Sequence, residues 1–343
     1  MSDCPLSSMH TAAGVEYAPI AGIDVPDSFG DSASEAEALR TGAGVIDLAH
    51  VGTASLEGPD ARRFANGMFT NNIRDLDVGT GNRSAMCDDR GRVQGLIDVH
   101  CTEQDRFDIV LEGVTAAWFE ERYGLYIVFD DVELTVSNSD PRVLTVQGPE
   151  SAGVLSAAGL PVPQPGRFAV TDTGIRVASK DRSGLGGFDL IVPRSALAAA
   201  WERLQSCGAT PAGHAALESA RIRAGRPRWP VDGTDKTLIH ELRINPEVCN
   251  FNKGCYLGQE VINRVDVKGL IQKRLERIVL PKNAGAVGAA VTLDGKPVGT
   301  ISSVTHGNED SVALAVLRKA AWEVESVTVE TDGGPVTARI EAV

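Results

Sequence analysis

The sequence predicts an α+β protein that ends in a small antiparallel β-barrel. Three observations predict it. Helix-like and strand-like stretches mix without the steady alternation of a doubly wound parallel sheet. After about residue 274 the chain turns to short strands separated by tight turns. And 343 residues, 43% apolar and 23% charged, suffice for two or three packed units.

The first thirty residues, rich in Ala, Ser, Pro and Gly, are assigned as an amino-terminal extension. From Asp31, hydroxyls and the acids Glu35 and Glu37 stand where a helix start needs acceptors and negative charge, so a helix is expected to Arg40. Residues 45–48 and 54–57 read as strands. Gly58, Pro59 and Asp60 then open a helix, with the proline near the first turn, where no amide donor is needed. Residues 84–87 and 93–101 flank the turn-forming Asp88, Asp89, Arg90 and Gly91 and predict a hairpin, with 107–111 pairing nearby. From Arg142 the pattern repeats: a strand at 143–146, then Gly148, Pro149 and Glu150 opening a helix, either an internal repeat or two similar turns. Pro161, Pro163 and Pro165 exclude a helix interior or a central strand, so 159–166 is read as a surface connection between two subdomains. Strands at 168–178 and 187–192 and a helix at 194–205 follow. Six short strands between 275 and 340 make the barrel. The expected organisation is an extension at 1–30, a main domain at 31–273 and a barrel domain at 274–343.

Composition narrows the function. Lys and Arg number 33 against 46 Asp and Glu, a net charge of −13, so the surface repels phosphate polymers and anionic lipid; neither nucleic acid nor membrane is expected as a partner. No stretch approaches the roughly 18–20 apolar residues of a membrane helix, and the start MSDCPLSSMH lacks a basic and an apolar leader region, so the expected location is cytoplasmic. Cysteines at 4, 87, 101, 207, 249 and 255 form no C-x-x-C pair, and His240-Glu241 has no second histidine at helical spacing, so no metal site is expected. Phosphate-loop and nucleophile-elbow motifs are absent. Gly184, Gly186 and Gly187 precede a strand, the wrong order for a dinucleotide fingerprint.

Two concentrations of cations stand out in this acidic chain. Arg221, Arg223, Arg226 and Arg228 fall within eight residues, and Lys253, Arg264, Lys268, Lys273, Arg274 and Arg277 outnumber Glu260, Asp266 and Glu276 by three. Like charges gather where an anion lies between them, and arginine forks suit carboxylates and phosphates. A small anionic ligand between the two segments is therefore expected; surface ion pairing with the many acids is the alternative. Trp229 beside the first cluster offers a ring for stacking, or simple packing. Within the second, Cys255 stands between Gly254 and Gly258, close to Lys253 and a helix start, influences that favour a thiolate; the alternative is a small buried apolar side chain.

The run KGCYLGQEVINRV, followed by KG and KRL, closely resembles the signature of the YgfZ-type folate-binding proteins, relatives of the glycine-cleavage T-protein. RTGAGVIDLAHVG, GPDARRF, TNNI, SARIRAGRPRW and KPVGTISSV resemble the wider family, so the likeness spans nearly the whole chain. The resemblance implies a ring of mixed α/β subdomains around a central channel that takes tetrahydrofolate, with the barrel packed against it. It also implies an accessory role in assembling or repairing iron–sulfur clusters, with client or assembly proteins as partners. On that reading Cys255 is the reactive group, and Arg221, Arg223, Arg226, Glu218, Lys253, Gln259, Arg264, Lys268 and Trp229 bind the cofactor.

Two departures qualify the likeness. T-proteins carry an acidic pair where this chain has Gly95 and Leu96. Asp98 shares a strand face with Leu96 but lies roughly 6–7 Å further along, too far for a proton transfer tuned to hydrogen-bond distance. Many relatives have glutamate at the position of Arg223, and an arginine offers no acceptor to a pterin, so Glu218 or Glu241 would have to substitute. Three readings stay open: the accessory factor; a folate-dependent aminomethyltransferase or demethylase using Asp98; and a non-catalytic module for another anion or an acidic client peptide.

Overall fold

The computed structural model describes residues 5–269 and 271–341; Cys4 lies outside the described residues. Two sheets form the main domain. The six-stranded sheet runs in the order Phe168–Val170, Arg176–Ser179, Gly187–Val192, Arg142–Gln147, Gly44–Asp47, Thr210–Pro211. The five-stranded sheet runs Gly81–Cys87, Val93–Glu103, Arg106–Glu112, Thr53–Glu57, Glu133–Ser137. Six further strands, Lys273–Pro281 through Val336–Glu341, close an antiparallel barrel, which removes every exposed edge from that unit. The α+β class and the terminal barrel are those read from the sequence.

The five-stranded sheet is inserted between Gly44–Asp47 and Arg142–Gln147, which pair with each other in the six-stranded sheet. The chain thus passes between the two units near 48–53 and again near 137–142. The proline-rich 159–166 segment instead connects the helix Ser151–Ala157 to the edge strand Phe168–Val170 within one unit. Composition marked it as a surface crossing, and its residues 161–166 are half-buried or exposed, but a sheet that closes over a long insertion leaves no such mark.

The two Gly-Pro-acid turns are built alike. Gly58 and Gly148 have φ of 135° and 123°, and a Cβ at either would lie 2.3–2.4 Å from a backbone carbonyl oxygen, of Asp131 and of Gly42 respectively. Each follows a strand and precedes a helix, Ala61–Met68 and Ser151–Ala157. Only glycine fits such positions.

The amino-terminal segment packs on the main domain. Its helix Ser7–Ala12 follows the fully buried Leu6, and its hairpin, Glu16–Ile20 with Ile23–Ser28, is fastened by Glu35. That carboxylate accepts hydrogen bonds from Ser28 Oγ, Phe29 N and Gly213 N. Asp31 caps the helix Ser32–Thr41 by accepting from Ala33 N, as its position predicts. The barrel meets the main domain along the helix His214–Arg223, where Thr305 Oγ1 donates to Ser219 Oγ.

Alternation along the strand Val93–Glu103 sets up the interior. Ile97, Val99 and Cys101 point into the apolar core with Phe64, Phe69 and Phe107, while Asp98 and His100 face a cavity on the other side.

Candidate functional site

A cavity of about 380 Å³ opens where the two sheets, the amino-terminal hairpin and the helix His214–Arg223 converge. Its volume falls in the range of small-molecule sites, roughly 300–1,000 Å³. Its lining is mixed in character. Ile20, Leu48, Val51, Leu217, Trp229 and Val231 give the lining its apolar part, and His50 and His214 belong to it as well, His214 Nε2 lying 3.9 Å from Glu218. Arg83, Lys180, Arg182, Arg221, Arg226 and Arg228 bring six cations to it, against the acids Glu112, Asp181 and Glu218. A second cavity of about 510 Å³ shares Arg83, Lys180, Asp181 and Arg226 with the first and adds Asp98, His100, Arg167 and Glu247.

Glu112 organises part of this cationic lining. One of its oxygens lies 2.6 Å from Arg182 Nη1 and 3.0 Å from Lys180 Nζ, and the other 2.8 Å from Arg83 Nη2. Burial penalises its charge, but these three cations outweigh that and hold the carboxyl well below its ordinary range. Asp98 shares Lys180 at 2.6 Å, and burial, aided by the nearby Glu112 charge, pushes its carboxyl up against the pull of that ammonium. Arg182 is anchored from behind by both oxygens of Asp189.

Glu218 is likewise held ionised. Burial opposes its charge, yet hydrogen bonds from Arg221 Nε (2.7 Å) and Nη2 (2.6 Å), with Arg228 Nε 2.8 Å away, bring it to about 2. His50 and His214 meet edge to face, ring centres 5.3 Å apart. Burial, then His214 and the cations Arg228 and Arg182, hold His50 at about 3; burial likewise dominates at His214, which Glu218 only partly offsets, leaving it at about 4. Both rings are neutral at pH 7.

Of the residues expected to bind a ligand, Glu218, Arg221, Arg226 and Trp229 line the cavity. Arg221 does so without a donor to spare. Its five N–H groups are all used, on Glu218 twice and on Asp232, Ser303 and the Arg226 carbonyl. Arg226 and Arg228 commit one nitrogen each, to Asp181 and Glu218, and keep the rest of the fork for an occupant.

Arg223 points to the barrel, half-exposed, and pairs with Asp310 at 3.2 Å, because it lies on the helix face opposite the cavity. Of the two acids named to replace a glutamate there, Glu218 is in the cavity; Glu241 is outside it, accepting from Leu238 N and lying 3.8 Å from Lys273.

The second cationic segment does not reach the cavity, so the expected meeting of two clusters is corrected. Lys253 turns inward, donating to the carbonyls of Phe69 and Asn71, and burial pulls its ammonium down to about 7. Gln259 begins the helix Gln259–Lys268, whose Arg264 and Lys268 are exposed outside both cavities. Arg274 pairs with Glu276 and covers the Trp322 ring, and Arg277 serves the barrel seam through Glu341 and the Arg223 carbonyl. Charge density along a sequence does not say which way a segment faces. Cys255 is exposed, on a loop separate from the cavity. Asp98 sits in the second cavity, behind Lys180.

Sequence reading missed Arg83, Lys180, Arg182, Glu112, His50 and His214. They come from separate segments spread between residues 50 and 214, and the only local signal was a charge ending a strand-like run, as at Glu112. Among the described residues, no group of three or more His, Cys, Asp or Glu is placed to hold a metal ion, and no helix is long and apolar enough to cross a membrane.

The model of the GCVT N-terminal domain family matches residues 6–252, and that of the CAF17 C-terminal beta-barrel domain matches residues 272–343. An aminomethyltransferase of Cupriavidus metallidurans is 31% identical over 360 residues, spanning 98% of this chain and 95% of that protein. One of Stenotrophomonas maltophilia is 27% identical over 351 residues, spanning 98% and 93%. The crystal structure of the glycine cleavage system aminomethyltransferase T from Bartonella henselae superposes with a TM-score of 0.89 at 21% identity, covering 99% of this chain and 96% of that one, and so shares its fold. The chain belongs to the GCVT family, in the CAF17/YgfZ-type form that carries this β-barrel.

Proposed function

We propose that this chain binds tetrahydrofolate in the first cavity and acts as an accessory factor for iron–sulfur proteins, without transferring a one-carbon unit. The observation that carries the reading is a cavity lining that combines apolar side chains with six cations, every lining carboxylate being already paired to an arginine. A heterocycle suits the apolar side chains of Leu48, Val51, Leu217 and Trp229, and the glutamate tail suits Arg226 and Arg228. The residues present therefore fit the group. Bound there, tetrahydrofolate supplies nitrogen atoms able to carry a one-carbon unit.

Transfer chemistry is disfavoured by what replaces the acidic pair. A side chain at Gly95 would meet Met86 Cε at 2.4 Å and Val114 Cγ1 at 2.9 Å. Leu96 is 1% exposed in an apolar cluster with Ala85, Ile239 and Trp229. A carboxylate at either place would be buried without a cation. Asp98 is bound to Lys180 and lies outside the first cavity, which counts against its use as a transferase or demethylase acid.

Titration with tetrahydrofolate, read by Trp229 emission and by the melting temperature, is expected to saturate and to raise the melting temperature. Arg223→Glu should leave the affinity within about threefold, since Arg223 faces away. No response at millimolar tetrahydrofolate would remove the folate reading and favour another anion. The iron–sulfur reading is tested separately. The exposed Cys255 is expected to take iodoacetamide at least about tenfold faster than the half-buried Cys207, with the buried Cys87, Cys101 and Cys249 protected. In cells lacking the protein, Cys255→Ala should fail to restore iron–sulfur enzyme activity; full restoration would end the proposed role of that thiol.

A further inference from the structure

His50 has an unusual position. It lines the cavity, as do Leu48 and Val51, and its Nδ1 is buried with no hydrogen-bond partner. Nε2 is therefore the ring nitrogen left to reach an occupant. A buried N–H without an acceptor is rarer than an unmatched acceptor, so the proton of the neutral ring is assigned to Nε2. His214 fixes the ring from the side by its edge-to-face contact. The cavity's other donors are engaged: Trp229 Nε1 donates to the Gln94 carbonyl, Lys180 and Arg182 pair with Glu112, Arg226 with Asp181 and Arg228 with Glu218.

We propose that His50 orients the bound heterocycle by donating from Nε2 to its ring carbonyl, making the cavity selective for 4-oxo over 4-amino pteridines. This rests on the tetrahydrofolate reading above. A 4-amino ring would set a donor against the Nε2–H, leaving two buried donors facing each other, whereas the 4-oxo ring satisfies both groups.

The test compares tetrahydrofolate with tetrahydroaminopterin, its 4-amino analogue, by calorimetry on the full chain. The wild type is expected to prefer tetrahydrofolate by on the order of 10- to 100-fold. His50→Phe should reduce that preference to about threefold or less, by weakening tetrahydrofolate. His50→Gln, whose amide N–H can replace Nε2–H, should keep most of it. p-Aminobenzoylglutamate, which lacks the pterin, should bind all three proteins alike, confirming an intact tail site. If His50→Phe binds tetrahydrofolate as the wild type does, or if the wild type shows no preference, the role of His50 is overturned and the folate reading survives. If the wild type binds neither pteridine, both fall. The wild-type comparison decides the matter even where His50→Phe does not fold.

Discussion

Glu112→Gln is expected to lower stability by about 3–5 kcal/mol at neutral pH, the cost of removing one member of a buried ionic cluster and leaving its partners uncompensated. Arg83, Lys180 and Arg182 all converge on that carboxylate, and its side chain is only 13% exposed. Glutamine keeps the shape but can neutralise none of the three. The folded carboxyl titrates below the free value of 4.5, so its contribution is complete above that pH and is lost as the pH falls through the folded value. Asp98 works the other way. Its folded carboxyl titrates above the free value of 3.8, so protonation on acidification favours the fold and offsets part of the loss. Asp98→Asn should accordingly cost less than about 1 kcal/mol, because Lys180 keeps Glu112. Urea unfolding at pH 7 and in steps down to pH 3 checks this. Equal losses for the two variants, or a Glu112→Gln protein with the wild-type acid dependence, would refute the assignment of Glu112 as the hub.

Much of the fold was legible because its signals are local. The acceptor at Asp31, the Gly-Pro-acid turns at 58–60 and 148–150, and the hairpin around Asp88–Gly91 each dictate a conformation to their own neighbours. The barrel announced itself through closely spaced short strands. The site was harder to read because it is assembled from afar. Glu112, Lys180 and Arg182 meet only after the five-stranded sheet has been inserted between two paired strands, and nothing near residue 112 or 182 records that. The arginine run at 221–228 divides where the helix ends: Arg223, in its last turn, faces the barrel, while Arg226 and Arg228, in the loop beyond it, line the cavity. Lys253 misled because a lysine beside a cysteine in a glycine-framed loop reads as an activating cation, whereas here it is folded under the loop onto two carbonyls.

Arg221 shows how a ligand-like residue can be wholly structural, and it supports the second large prediction. Its guanidinium joins three parts of the molecule: Glu218 on its own helix, Asp232 in the loop beyond Trp229, and Ser303 on the barrel strand Lys296–His306. Asp232 is 1% exposed and in turn accepts from Ser302, Ser303 and the Arg228 amide. Arg221→Met should therefore cost about 3–5 kcal/mol, since it strands Asp232 in the junction with hydroxyl and amide donors but no cation. Arg221→Lys should recover less than half of that, because an ammonium has three donors and no planar fork to span Glu218, Asp232 and Ser303 together. Urea unfolding measures the loss. Limited proteolysis locates it: the methionine variant should be cut first close to Lys273, where the first barrel strand begins, before the main domain is degraded. A loss under about 1 kcal/mol, or a lysine variant as stable as the wild type, would mean that the junction stands without this fork and that the apolar contact of Ile222 with Leu275, Val312 and Leu314 holds the barrel in place.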